Sequence, residues 1–280
     1  MRSLPNRAVS LLHISDVHFG RPHVPAHVAA VEAFAASRNF DAIVVSGDMA
    51  TRAWPHEFRQ AKLFLDRMRT LAPLLIVPGN HDTAWWFGIL NLGIPPLIHG
   101  AYRRYIEKSL EPTLQIPGVT IVGLNSSPGI QLHTLTKRPR DLSVRGALKD
   151  SQFEDATARF ARAPKGNLRV LVVHHNVVPG ELSKRWGMTR HEHVLDMIAR
   201  SGADIVMSGH DHQEKAIVVE RFDRKFVAIT AGTLSDRSRG GRASAFMTVD
   251  ATENEISITP WHYAPTRGEF ESATPLVTPR

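Results

Sequence analysis

The sequence predicts an α/β fold with a largely parallel sheet core and an antiparallel C-terminal portion. Three observations predict it. Apolar runs at 11–15, 42–46, 74–77, 170–173 and 205–208 are continuous rather than alternating, the pattern of strands covered on both faces. Helix-period stripes fall between them. After residue 212 the pattern changes to strand-like runs joined by tight polar turns.

The elements follow in order. Val28, Val31 and Phe34, with Ala35, give a helical stripe between the first two strands, and Phe58, Ala61, Leu65 and Met68 give a clearer one between the second and third. Phe153, Ala156, Phe160 and Ala161 form a helix face before the fourth run. Val194, Leu195, Ile198 and Ala199 form another before the fifth, with Gly202 as its C-terminal stop. Successive β-α-β units with short links imply right-handed crossovers. Ala216–Val219 and Phe226–Ile229 flank Asp223-Arg224 as one hairpin, and Phe246–Val249 and Ile256–Thr259 flank a polar turn as a second. Residues 1–262 read as one domain. Residues 263–280 have three prolines and little periodicity and read as an extended tail over the surface. Two segments, 85–96 and 126–147, fit no element and are long enough to suggest roofs over a site.

Composition narrows the function. Hydrophobic residues make up 42% and charged residues 22%, ordinary for a globular protein. No apolar stretch reaches the ~20 residues of a membrane span, and the short run after Arg2 and Arg7 breaks at His13, so no cleaved signal is expected. With no cysteine there is neither a disulfide framework nor a thiolate metal site, which fits a cytoplasmic location. The net charge of +7 is modest. Its clusters, Lys137-Arg138-Pro139-Arg140 with Arg145 and Lys149, and Arg237, Arg239 and Arg242, would attract an anionic substrate if they are more than a solvated surface.

Each of the five apolar runs ends in a polar signature: Asp16-Val17-His18, Gly47-Asp48, Gly79-Asn80-His81-Asp82, His174-His175 and Gly209-His210-Asp211-His212. Oxygen and imidazole donors at the same end of neighbouring strands can converge on a pair of divalent cations. Asp16 and His18, two apart on an extended strand end, would project to one side and share a metal. Asp48 follows Gly47, which permits a tight turn, and its carboxylate could bridge two ions. Asn80 can ligate through its side-chain oxygen. His210 and His212 again stand two apart after a glycine. Each signature alone is a common chance match; turn-forming residues would not explain why all five terminate strands.

These blocks, D-x-H, G-D, G-N-H-D, H and G-H-x-H, resemble those of the calcineurin-like metallophosphoesterase superfamily, over residues 11 to about 233. Within it, Ser-Asp-Val-His-Phe-Gly, Ser-Gly-Asp-Met-Ala, Pro-Gly-Asn-His-Asp, His-His-Asn and Gly-His-Asp-His look most like the bacterial class III cyclic-nucleotide and glycerophospho-diesterase branch. That branch often has prolines after the double histidine, where this chain has Asn176-Val177-Val178-Pro179. The resemblance implies a four-layer α-β-β-α sandwich of two mixed sheets, with a dinuclear site at the C-terminal ends of the strands. It implies one ion held by Asp16, His18, Asp48 and His212, and another by Asp48, Asn80, His174 and His210. For the fourth block His174 is favoured, because the first histidine leaves the strand directly, and His175 would stand behind it. The metals are open among Mn, Fe, Zn, Co and Ni.

The activity so implied is hydrolysis of a phosphodiester, or of a phosphomonoester, in a small substrate such as a cyclic nucleotide or a glycerophosphodiester, by metal-activated hydroxide. Asp48 would hold both ions, His81 would give a proton to the leaving oxygen, and Asp82 would orient His81. Trp85 (with Trp86), Arg237, Arg239 and His175 are candidates for substrate contact, although tryptophans are more often core residues and arginines more often solvated. His191 and His193 read as surface residues, His13 as a polar residue accommodated in its strand, and His23, His27, His56 and His99 as non-ligands. A nuclease of the repair-exonuclease branch is the second reading; the basic clusters favour it slightly, but no nucleic-acid module is evident. A protein phosphatase is disfavoured by Met49-Ala50-Thr51-Arg52 and Asp82, and a lipid-A-type pyrophosphatase by His81. A non-catalytic scaffold is the remaining alternative. A homodimer is compatible with the sequence, which does not fix the oligomeric state.

Overall fold

The continuous apolar runs are strands whose two faces pack into different cores. The computed structural model describes residues 8–83, 98–129 and 145–280. In β1 (Val9–Ile14), Leu12 and Ile14 join one apolar cluster while Val9 and Leu11 join another. β2 (Ala42–Val45) divides the same way, with Ile43 and Val45 on one side and Ala42 and Val44 on the other. The period-two geometry of a strand turns an unbroken apolar run into two buried faces.

The outer cluster on this side is completed by α1 (Pro25–Ala36) and α2 (Pro55–Leu71), which contribute Val28, Val31 and Ala35, and Phe58, Ala61, Phe64, Leu65 and Met68. The inner cluster lies between this sheet and a second one. There Val119 and Ile121 of β5 (Val119–Gly123), Leu168, Val170 and Val172 of β6 (Leu168–Val172), and Ile205 and Met207 of β7 (Ile205–Ser208) meet Leu11 and Val44. The opposite residues of those strands, Val122, Leu171 and Val206, face α4 (Asp150–Ala161) and α5 (His191–Ser201). Three apolar layers therefore separate four structural ones, α-β-β-α. Phe64 is fully buried. We expect Phe64→Ala to destabilise the protein by ~3–5 kcal/mol, read as a lower urea midpoint at unchanged slope.

The remaining elements complete the sheets. β3 (Leu74–Ile76) continues the first, and α3 (Gly100–Tyr105) packs on α2. β4 (Thr113–Ile116), β8 (Lys215–Arg221), β9 (Arg224–Thr230), β10 (Ala245–Ala251), β11 (Glu255–Ala264), β12 (Glu269–Ser272) and β13 (Leu276–Pro279) follow in the chain. Among the described residues the first sheet runs β12-β11-β10-β1-β2-β3, with β13 also on β11, and the second runs β4-β5-β6-β7-β9-β8. Both are mixed: β1-β2-β3 and β5-β6-β7-β9 are parallel, and β10, β4 and β8 pair antiparallel.

Both expected C-terminal hairpins are present, β8–β9 and β10–β11. The segment 263–280 is not a tail laid over the surface. It forms the end of β11 together with β12 and β13, which pair with the two ends of β11, so one edge of each of these strands is hydrogen-bonded in the sheet. Ala161 is exposed rather than on the helix face, one step of about 100° beyond Phe160. The hairpin β4–β5 was not anticipated, although Pro117-Gly118 between two apolar runs marks its turn; Gly118 has φ of 87°. Gly202 ends α5 at φ of 80°, in the left-handed cap position expected of it.

Candidate metal centre

β1, β2, β3, β6 and β7 all end at the same edge of the sandwich, and each of the five signatures begins where its strand stops. The side chains do not converge by the strand alternation that the spacing of Asp16 and His18 suggested. Asp16, His18, Asp48, His210 and His212 all have left-handed backbones, with φ of 55°, 50°, 55°, 72° and 56°. Such conformations cost non-glycine residues free energy and persist only where the surroundings dictate them. Here the loops dictate them by zippering beyond the strands. Asp16 N donates to Gly47 O at 3.0 Å, His18 N to Asp48 O at 3.0 Å and Phe19 N to Met49 O at 2.7 Å. Farther along the chain, His210 N donates to Asp16 Oδ2 at 2.9 Å. The turns thus hold one another in place.

One group comprises Asp16, His18, Asp48 and His212, whose ligating atoms lie within 4.8 Å of one another. His18 Nε2 and His212 Nε2 stand 3.2 Å apart, and Asp16 Oδ1 is 3.1 Å from His212 Nε2. His212 Nδ1 donates to the carbonyl of Arg237 at 3.0 Å, which leaves its Nε2 as an electron-pair donor. Asp16 Oδ1 is buried and, among the described residues, makes no hydrogen bond. A second group surrounds the other side of Asp48. His174 Nε2 is 3.3 Å from Asp48 Oδ2 and 3.1 Å from Asn80 Oδ1, and His210 Nδ1 is 3.0 Å from the same Asn80 oxygen. His174 Nδ1 donates to Ser46 O at 2.7 Å, so Nε2 is the atom turned inward. Asp48 Oδ2 is also 3.8 Å from His18 Nε2, so one carboxylate oxygen faces both groups.

The electrostatics suit cations. Burial opposes charge on Asp16 and Asp48, yet the surrounding histidines hold both carboxyls well below the usual range. Burial pushes His18 down to about 4 and His210 down to about 3, so these imidazoles are neutral donors at pH 7. Burial alone would lower His174 too, but Asp48 outweighs it and raises it to about 9. A buried carboxylate oxygen that makes no hydrogen bond among the described residues and inward-facing imidazole nitrogens form a mixed N/O donor set that fits divalent transition metals.

The structure brings together all seven sequence-predicted ligands. It also places His174, rather than His175, against Asp48 and Asn80. His175 stands behind, with Nδ1 2.9 Å from Ser126 Oγ and its ring 4.5 Å from that of His210. His81 sits at the edge of the site, its ring 4.9 Å from that of His18. The expected pairing of Asp82 with the His81 ring is replaced by another: His81 Nδ1 donates to Thr51 O at 2.7 Å. Asp82 instead accepts from Ala50 N and Gly79 N, both at 2.9 Å, and clamps two of the loops. Burial, and then the nearby Asp48 charge, push Asp82 up to about 7.

A cavity over the site is lined by Asp48, Asn80, His81, His210, His212, Arg237 and Arg239. Trp85 and Trp86, the basic run 137–140 and most of both predicted roof segments lie outside the described residues. His191 stacks on Trp186 and His193 pairs with Asp150 at 2.8 Å, both away from the site, while His13 bonds Ser46 within the sheet. Ser126, Thr51 and the carbonyls of Ser46 and Arg237 were not anticipated. They act through backbone atoms or a lone hydroxyl, for which no spacing rule exists.

The family model of the calcineurin-like phosphoesterases matches residues 9–214. A sequence search finds no match among curated proteins. Among solved structures, a purple acid phosphatase from yellow lupin (Lupinus luteus) seeds aligns with a TM-score of 0.65 at 10% identity, over 97% of this chain and 54% of that one. A dimetal phosphatase from Danio rerio aligns with a TM-score of 0.62 at 15% identity, over 95% and 98%. PhoD aligns with a TM-score of 0.67 at 11% identity, over 97% and 70%. This chain thus spans about half the length of the lupin enzyme, and at such identities the likeness is one of fold.

Proposed function

The chain belongs to the calcineurin-like phosphoesterase family, and from that premise we propose that it hydrolyses phosphodiester bonds in small substrates with the aid of two divalent metal ions. The observation that carries the reading is Asp48, whose Oδ2 faces His18 on one side and His174 on the other. On this reading Asp16, His18, Asp48 and His212 hold one ion, and Asp48, Asn80, His174 and His210 the other. When bound, the ions would supply a water of lowered pKa and a Lewis-acid pull on the phosphoryl oxygens.

The protein's own residues do the rest. Left-handed turns locked by interloop hydrogen bonds fix the ligands before substrate arrives, so little reorganisation is needed during reaction. The Thr51 carbonyl accepts a hydrogen bond from His81 Nδ1–H, which leaves Nε2 as the atom that can hold a proton at the leaving oxygen. Asp82, with its two backbone contacts, keeps Gly79 and Ala50 in place and so positions Asn80 and His81. The preference for diesters over monoesters rests on the motif resemblance to the class III branch.

Two experiments test this. A panel of metal-reconstituted protein should include bis-aryl and mono-aryl phosphates, 2′,3′- and 3′,5′-cyclic nucleotides, glycerophosphodiesters and single-stranded DNA. Diesters should be cleaved faster, chelation should abolish turnover, and a clear monoester preference would overturn the diesterase reading. Separately, His81→Ala should lower kcat by ~10²-fold or more on a poor leaving group, with metal content unchanged. A loss below tenfold would rule out the acid role.

A further inference from the structure

The loop after β9 carries three arginines, and the structure treats them differently. Arg242 is ion-paired twice, with Glu181 at 2.7 Å and Glu214 at 3.1 Å, and serves the packing of its loop. Arg237 and Arg239 instead line the cavity beside Asp48, Asn80, His81 and His210. Arg237 places Nη1 3.4 Å from His81 Nε2, and among the described residues no carboxylate pairs with it. Among the described residues Arg239 is held only through Nε, which donates to Asp211 O at 2.7 Å and lies 3.5 Å from Asp211 Oδ1. Among the described residues no hydrogen bond engages its terminal nitrogens.

The base beneath the two arginines is rigid. The Arg237 carbonyl accepts from His212, Arg237 N donates to Ser235 Oγ at 3.3 Å, and Asp236 N donates to Pro22 O at 3.0 Å. Thr233 Oγ1 donates to Asp16 O at 2.7 Å. Asp211 lies between His210 and His212 and is only 2% exposed. Its carboxylate accepts from Ser183 Oγ at 2.9 Å and from Gln213 Nε2 at 2.6 Å, which holds the residue in place, and its main-chain carbonyl ties Arg239 Nε to the same turn that carries two of the proposed ligands. A merely solvated loop gives no reason for a buried turn to fix one arginine by its Nε, through the Asp211 carbonyl with the carboxylate 3.5 Å away, and leave the forked end over the cavity.

The chemistry of the substrate follows from counting its anionic oxygens. A phosphodiester has two non-bridging oxygens sharing one negative charge, and a pair of ions suffices for both. Two further guanidinium groups beside that centre, each with a planar fork matched to phosphate or carboxylate, call for a second anion. We propose that Arg237 and Arg239 form an anion subsite, with Asp211 as the residue that positions Arg239, and that the substrate is a phosphodiester whose organic part carries a separate phosphate or carboxylate. The proposal rests on the phosphodiesterase reading above.

Two matched pairs of substrates test it. One is thymidine 5′-(4-nitrophenyl phosphate) with and without a 3′-phosphate; the other is 4-carboxyphenyl 4-nitrophenyl phosphate against its phenyl counterpart. For wild-type protein the added anion should raise kcat/KM at least tenfold in one pair or both, mainly through KM, and the pair that responds names the group. Arg239→Ala should erase most of that advantage, Arg239→Lys should restore part of it, and Asp211→Asn should raise KM for the anionic member more than it lowers kcat. Calorimetry gives a readout free of turnover: thymidine 3′,5′-bisphosphate should bind the metal-loaded protein at least tenfold more tightly than thymidine 5′-monophosphate, and Arg239→Ala should remove the difference. Equal handling of both members of each pair, or an Arg239→Ala loss equal across a pair, overturns the subsite. If no ester is hydrolysed the phosphodiesterase reading fails, and the calorimetric comparison then decides the subsite by itself.

Discussion

Asp48→Asn should lower turnover by at least roughly 10²–10³-fold, the range for removing one electrostatic stabiliser of a transition state, and should leave fewer than two metal ions per chain. The substitution keeps size and shape. Its Oδ1 can still accept the His81 amide, which bonds Asp48 Oδ1 at 2.8 Å in the wild type. What disappears is the negative charge at Oδ2, the atom facing both His18 and His174. A neutral amide is a poorer ligand and cannot balance two divalent ions. Elemental analysis of protein loaded under identical conditions, with circular dichroism to confirm folding, measures the effect. Two retained ions together with turnover within tenfold of wild type would show that Asp48 is not shared.

Gly79→Ala should be nearly as damaging although it removes no ligand. A Cβ built at Gly79 would lie against Asp48 Oδ1 and the Asp48 amide nitrogen, and 2.7 Å from Asp48 Cγ. That neighbour is backbone and a side chain pinned on both faces, so it cannot move aside cheaply. Overpacking of this kind costs typically about 1–3 kcal/mol, and displacement of Asp48 adds a loss of metal affinity of roughly 10–100-fold, the range for disturbing a ligand's support. Gly100→Ala is the control: a Cβ there meets nothing within 4 Å. It should be neutral or mildly stabilising, since alanine is the better helix former. Thermal melting of metal-free protein and a competitive metal titration separate the two contributions. Unchanged metal affinity in Gly79→Ala would mean that the loops give way more easily than their hydrogen bonds imply.

The strands and the polar cluster at their ends were legible in the sequence because burial on both faces leaves an unbroken apolar run, and each polar signature follows the strand that presents it. Leu12 and Leu11 could be placed in a strand by pattern alone, but their division between two different cores needed the sandwich. The geometry of convergence was not legible. Spacing suggested that Asp16 and His18 share a side of an extended strand, whereas both lie at positive φ, imposed by hydrogen bonds to Gly47 and Asp48 from a different part of the chain. Asp82 looked like the partner of its neighbour His81 and instead clamps Ala50 and Gly79. β10 returns to pair antiparallel with β1 across more than two hundred residues, and no local signal records such a pairing. The strands formed by 269–279 were hidden for a related reason: edge strands such as β13 expose one face and tolerate prolines.

The most direct test of the central claim is an anomalous-scattering map of crystals grown with manganese. The account predicts two peaks about 3.5–4 Å apart, one against His18 and His212, the other against His174 and His210, with Asp48 touching both. A single peak, or manganese bound away from these residues in protein that hydrolyses esters, would contradict it.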